Sequence, residues 1–119
     1  MRQENVEAIK LLIKHYGPAS QYSLAMEECA ELSVICSKLL RGDVPREKVV
    51  DAIADVYTMI QVLVIIGNVE PSELEDVAFV KLQNALYDAG LTRQQQEMQE
   101  VKLDEALAED EAFHKGGAK

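Results

Sequence analysis

Apolar residues recur along the chain at intervals of three and four, which is the spacing of one face of an α-helix. No segment alternates apolar and polar residues with a period of two, so the pattern predicts no β-sheet. Glycine and proline separate four predicted helices, near residues 4–16, 20–41, 45–67 and 71–90. The connections between them are short and favour antiparallel neighbours. We therefore predict an all-α fold, an antiparallel four-helix bundle.

The chain changes character after residue 90. Residues 92–119 are mostly Gln, Glu, Asp, Lys and Ala, and the final Gly-Gly-Ala-Lys is expected to fray. Thr92 could cap a fifth helix that runs towards His114. The sequence thus predicts a helical domain over 1–90 and a polar C-terminal extension over 91–119. The extension is either a helix with a thin apolar stripe or a solvated, partly disordered tail.

The apolar content and the net charge of the chain limit the size of its core and its expected partners. The 119 residues are 48% apolar, enough for one small core that self-association would help to cover. A net charge of −9 repels phosphate backbones, so we expect no nucleic-acid partner. Residues 1–16 are charged throughout, unlike a secretory signal, and the apolar run 56–66 is too short to span a bilayer. These features predict a cytoplasmic protein without a membrane partner. Cys29 and Cys36 are expected to be reduced thiols that pack in the core as small side chains.

Carboxylates interrupt the inward-facing stripe of the predicted second helix. Steps of four, three, four and four residues join Leu24, Glu28, Glu31, Ile35 and Leu39. A buried carboxylate without a partner is costly, so a cation is expected to meet Glu28 and Glu31. Glu27 is rotated by about 100° from Glu28 and is better placed as a flanking group.

The third helix repeats this anomaly. Its stripe consists of Ala52, Asp55, Met59, Val62 and Ile66, and Asp51 lies one turn before Asp55. If the two helices pack antiparallel, Glu28, Glu31 and Asp55 converge, with Asp51 near them. An all-oxygen cluster suits Mg²⁺ or Mn²⁺ rather than Zn²⁺. The alternative is that the acids lie on solvated helix faces, where Lys38 or Arg41 could form surface salt bridges with them.

These two segments resemble the MazG-type nucleoside triphosphate pyrophosphohydrolases, especially the small phage-encoded members. The family signature is Glu-Glu-x-x-Glu, a spacer, and then Glu-x-x-Asp. Here the first part reads Glu27-Glu28-Cys-Ala-Glu31 and the second ends at Asp55. The resemblance covers roughly the first 90 residues. The chain departs from the signature three residues before Asp55, where Ala52 replaces an expected metal-ligating acid.

The resemblance implies an α-helical enzyme, assembled as a dimer or a tetramer. It would use Mg²⁺ to hydrolyse a nucleoside triphosphate, such as a (d)NTP, between the α- and β-phosphates, releasing monophosphate and pyrophosphate. Glu28, Glu31 and Asp55 match metal ligands, and Asp51 could reach the ion directly or through water. Glu27 or Glu31 would orient the attacking water or take its proton.

Three polar residues are candidates for binding the substrate. Related proteins place a basic or amide group where Lys81 and Asn84 stand on the fourth helix, near the phosphates. A lysine whose stem covers the core is the alternative for Lys81. Gln21, seven residues before Glu28, could contact the base, or it could simply be a polar residue at the start of a helix.

Two other functions compete with this prediction. A catalytically degenerate bundle that binds nucleotides or a protein partner is favoured by Ala52. Phosphoribosyl-ATP pyrophosphatase is disfavoured because those proteins usually carry Tyr-His where Tyr57-Thr58 stands here.

The third predicted helix bears on the oligomeric state. Residues 56–66 contain no charged residue, so this helix is apolar nearly all round. Such a helix must be covered on every side, which predicts at least a homodimer.

Overall fold

The computed structural model describes residues 2–91 and 100–109. All regular secondary structure in this part of the chain is α-helical, which confirms the predicted class. The helices are α1 (Gln3–Tyr16), α2 (Pro18–Arg41), α3 (Arg46–Ile66) and α4 (Pro71–Asp88). Residues 100–109 are also helical. The predicted ends of that fifth helix, at Thr92 and His114, and the predicted fraying of the last four residues lie outside the described residues.

Glycine and proline end the helices close to the predicted positions. Gly17 alone separates α1 from α2, and its φ of 84° lies in the left-handed region that favours glycine. Pro18 then starts α2 because a proline at the first helical position loses no hydrogen bond. This places the start of α2 two residues before the predicted Ser20. At the other end of the core, α3 ends before Gly67, and Asn68 turns the chain with a φ of 51°.

The hydrophobic core is formed by α1, α2 and α3. Its buried members are Ile9 of α1, Ala25 of α2, and Met59 and Val62 of α3. Half-buried side chains pack against them: Ile13, Leu24, Ile65 and Ile66. The predicted apolar stripe of α3 is therefore inside, apart from Asp55, which is exposed.

The chain forms two compact units, Met1–Leu74 and Glu75–Lys119. All the buried residues that the structure describes belong to the first unit, and none lies on α4. A four-helix bundle is therefore not confirmed: the described core contains three helices. The predicted domain boundary after residue 90 stays a prediction.

The predicted burial of the two cysteines is wrong. Cys29 and Cys36 are both free and exposed. Each follows a residue of the stripe that faces α3, Glu28 and Ile35 respectively. A step of one residue rotates a side chain by about 100°, so both thiols point away from that interface.

Helix α3 is long and apolar enough to cross a membrane, judged by length and composition alone. Only 17% of its apolar stretch is buried. Asp51 and Asp55 both lie on this helix, and intramembrane carboxylates are expensive. The absence of a membrane partner and the cytoplasmic location stay predictions. The exposed apolar side chains of α3 are expected to pack against another surface.

Candidate metal centre

Helices α2 and α3 run antiparallel beside each other. Ala25, near the start of α2, shares the core with Val62, near the end of α3. Ile35, later in α2, lines a cleft together with Lys48, at the start of α3. This reversed order brings the middle of α2, with its acidic motif, level with the middle of α3.

Three carboxylates meet at that level. One carboxylate oxygen from each of Glu28, Glu31 and Asp55 lies within 4.8 Å of the other two. Glu31 and Asp55 are exposed, whereas Glu28 is half-buried. The Oε2 atom of Glu28 is buried and, with its carboxyl ionised, has no hydrogen-bond partner among the described residues. The predicted convergence of these three side chains is therefore confirmed as geometry.

The cluster opposes ionisation of its central member. Partial desolvation raises the pKa of Glu28 above its ordinary value of 4.5. The charges of Asp55 and Glu31 raise this pKa further, and so do hydrogen bonds that a protonated Glu28 carboxyl can donate to those two carboxylates. Across the described residues, no basic side chain forms an ion pair with any of the three. The three carboxylates therefore repel one another, and a cation between them would relieve this repulsion.

This repulsion predicts a pH-dependent stability of the metal-free protein. Because the pKa of Glu28 is raised on folding, the folded state holds more protons than the unfolded state above pH 4.5. The contribution of Glu28 to stability is therefore present below that pH and is lost as the pH rises through the raised pKa. Glu28→Gln does not titrate. In chelator, the free energy of unfolding of this variant should increase relative to that of the wild type as the pH rises from 4.5 through the raised pKa of Glu28.

Urea denaturation at a series of pH values measures this difference. Glu27→Gln is the matched control, because Glu27 is exposed on the same helix and lies outside the cluster. Glu27→Gln should not reproduce the pH-dependent gain in stability expected of Glu28→Gln. A level difference for Glu28→Gln would contradict the described packing of the three carboxylates.

The donor set suits a hard divalent cation. Oxygens bound to one Mg²⁺ at about 2.1 Å lie about 3 to 4.2 Å apart, so the observed spacing requires only a small closing movement. Exposed side chains such as Glu31 and Asp55 can make that movement. Carboxylates alone favour Mg²⁺ or Mn²⁺ over the metals that prefer nitrogen or sulfur. The residues present therefore fit the ion that the sequence predicts.

A cleft of about 310 Å³ opens beside the cluster. Glu31 and Asp55 form part of its wall, and Asp51, predicted to lie near the metal, is exposed on the same wall. Ala52 also lines it and is only 7% exposed. A longer acidic side chain at position 52 would therefore extend into the cleft. The other lining residues are Val34, Ile35 and Lys48.

Sequence reasoning missed Lys48. It precedes Ala52 by four residues and Asp55 by seven, which places all three on one face of α3. That helical spacing was the signal that could have found it. Lys48 is also the only basic residue among those that line the cleft.

Two other predicted site residues, Glu27 and Gln21, lie on α2 outside this cluster and its cleft. Glu27 is exposed on α2 and does not line the cleft. Gln21 is buried, 5% exposed, and lies two turns before Glu28 on α2. Lys81 and Asn84 are exposed on α4, in the second unit. Their roles in binding substrate stay predictions.

Comparison of the chain with family models, with curated proteins and with solved structures returns no match. The acidic motifs and the geometry of the three carboxylates are therefore the features of this chain that bear on its function.

Proposed function

We propose that this protein is a Mg²⁺-dependent nucleoside triphosphate pyrophosphohydrolase of the MazG type. It would convert a ribo- or deoxyribonucleoside triphosphate into the monophosphate and pyrophosphate. The observation that supports this most is the meeting of Glu28, Glu31 and Asp55, where the buried Oε2 atom of Glu28 accepts no hydrogen bond from any described residue. These are the three residues that the resemblance assigns to the metal.

Each acidic residue has a distinct part in this proposal. Glu28, Glu31 and Asp55 would hold Mg²⁺ or Mn²⁺, and Asp51 would join them directly or through a water molecule. When bound, such an ion supplies neutralisation of phosphate charge and activation of water. Glu31 is better placed than Glu27 to orient the attacking water and take its proton, because Glu31 lines the cleft and Glu27 does not.

The second candidate is a degenerate bundle that binds nucleotide without cleaving it. The buried methyl group of Ala52 favours this alternative, since it stands where an acidic ligand is expected. Both candidates place the nucleotide in the same cleft.

A pyrophosphate-release assay distinguishes the candidate functions. The substrates are ribo- and deoxyribonucleoside triphosphates and phosphoribosyl-ATP, each tested with Mg²⁺ and with chelator. Turnover of nucleoside triphosphates supports the proposal. Turnover of phosphoribosyl-ATP alone indicates phosphoribosyl-ATP pyrophosphatase, and nucleotide binding without pyrophosphate release indicates the degenerate bundle.

Restoring the missing acid gives an independent prediction. Ala52→Glu adds a fourth carboxylate to the wall that holds Glu31 and Asp55. We expect it to tighten Mg²⁺ binding by about tenfold, a size typical of changes to metal sites. Without metal the same variant should lose stability because like charges are added. Calorimetric titration with Mg²⁺ measures the first effect and thermal unfolding in chelator the second. Ala52→Gln, similar in size but neutral, is the control, and equal Mg²⁺ affinity in the two variants would contradict this placement.

We also propose that the protein works as a homodimer or as a tetramer built from dimers. Helix α3 has a second apolar face opposite its buried one. Val50, Ile53, Tyr57 and Ile60 follow each other at steps of three, four and three residues, and all four are exposed. A second copy of the chain would cover this face through a two-fold axis.

A further inference from the structure

Lys48 lies at the edge of the cleft that contains the carboxylate cluster. It is exposed in the first turn of α3, and Ala52 and Asp55 follow it on the same helical face. Seven residues separate Lys48 from Asp55, which is about 10.5 Å along the helix axis. The cleft therefore has a carboxylate end, at Glu31 and Asp55, and a basic edge.

The ammonium group of Lys48 has no polar partner among the described residues. Asp51 lies one turn after it, and a lysine and an aspartate at this spacing commonly pair. Within the described residues, however, Lys48 forms neither an ion pair nor a side-chain hydrogen bond. Its three N–H donors are thus available to a ligand that enters the cleft.

The charge of the cleft shows what Lys48 would do. Glu31, Asp51 and Asp55 give the wall three carboxylates against the single positive charge of Lys48. Without Lys48, one bound divalent ion would leave this wall with a net charge of about −1, which would repel a triphosphate, and Lys48 brings the net charge to about zero. A lysine beyond the carboxylates attracts the part of the ligand that extends away from the metal, and phosphate oxygens are strong acceptors for its ammonium group.

We infer that Lys48 binds the β- and γ-phosphates of the nucleotide and so holds the pyrophosphate that is released. This inference rests on the proposed function. An elongated anion can touch both ends of the cleft, with its α-phosphate at the carboxylate cluster and its terminal phosphates at Lys48. A nucleoside monophosphate has no group to place at the basic edge. Lys48 therefore distinguishes triphosphate from monophosphate.

Calorimetry with Mg²⁺ present tests this without turnover. The ligands are inorganic pyrophosphate, an α,β-methylene nucleoside triphosphate and a nucleoside monophosphate. Lys48→Gln should bind the first two about tenfold more weakly, as expected for loss of one charge-assisted contact, and should bind the monophosphate as the wild type does. Lys48→Arg should recover most of the affinity. In the pyrophosphate-release assay, KM for the triphosphate should rise by a similar factor.

Arg46→Gln is the matched control, since Arg46 is exposed two residues earlier and does not line the cleft. It removes the same charge and should leave all three affinities unchanged. If Lys48→Gln binds pyrophosphate as tightly as the wild type, or if Arg46→Gln loses as much affinity, the inference is overturned while the proposed function stands. If the wild type binds pyrophosphate but releases none from triphosphates, the proposed function fails and the role of Lys48 is still decided by the binding data. If the wild type binds neither ligand, both fail.

Discussion

Asp55→Asn is expected to lower Mg²⁺-dependent pyrophosphate release by a factor of about 10² or more, the range seen when a group that acts in the transition state is removed. Glu31→Gln should have a similar effect, because Glu31 serves both the metal and the attacking water in this proposal. Neither variant should lose helical structure, since both side chains are exposed and neither fills the core. Without metal, both should be at least as stable as the wild type because one of three mutually repelling charges is gone.

Three measurements check this result. Steady-state assays with Mg²⁺ give the loss of activity, and circular dichroism reports the helices. Thermal unfolding should show that millimolar Mg²⁺ stabilises the wild type by mass action and stabilises the variants less. Glu47→Gln, which removes an exposed acid from the first turn of α3 outside the cleft, should match the wild type in all three. Full activity in Asp55→Asn would exclude the carboxylate cluster as the metal site.

The second large effect concerns assembly. Ile53 and Ile60 lie in the middle of the second apolar face of α3, where Ile53 is 53% exposed. The double variant Ile53→Asp, Ile60→Asp places two like charges where a second copy would pack. The wild type should sediment as a dimer or larger at micromolar concentration, and the double variant should sediment as a monomer with a lower melting temperature, because burial of this face contributes to stability.

Leu11→Asp controls for surface charge, since Leu11 is an exposed apolar residue of α1 outside this face. It should leave the assembly unchanged. A monomeric wild type would refute the homodimer. Sedimentation of the wild type with lipid vesicles would show that lipid covers the face instead.

Helix boundaries and the acidic cluster were predictable from sequence for simple reasons. Gly17 and Pro18 can end and start helices but cannot sit inside one at little cost, so the break between α1 and α2 was visible. The spacing of Glu28 and Glu31 on one helix, and the short link to the helix that carries Asp55, left few ways to arrange the three carboxylates. Their meeting follows from helical periodicity and antiparallel packing alone.

The features that sequence reasoning missed depend on what each helix packs against. Cys29 looked like a core residue by type, but its rotation from Glu28 places it on a face that the described core does not cover. Helix α4 was expected to complete a bundle, yet its large apolar side chains, such as Phe79 and Leu82, are exposed. Lys48 was overlooked because a lysine in a first helical turn is unremarkable until a cleft forms beside it. The spacing of residues along one helix does not show which of its faces another helix will cover.

The most direct test of the central claim is the identity of the products. The wild-type protein is incubated with a nucleoside triphosphate, with Mg²⁺ or with chelator, and the phosphorus species are followed by ³¹P NMR. We expect nucleoside monophosphate and pyrophosphate in equal amounts, formed with Mg²⁺ and suppressed by chelator. The Asp55→Asn protein should form neither. Nucleoside diphosphate with inorganic phosphate, or no conversion of any triphosphate in the presence of Mg²⁺, would contradict the proposed function.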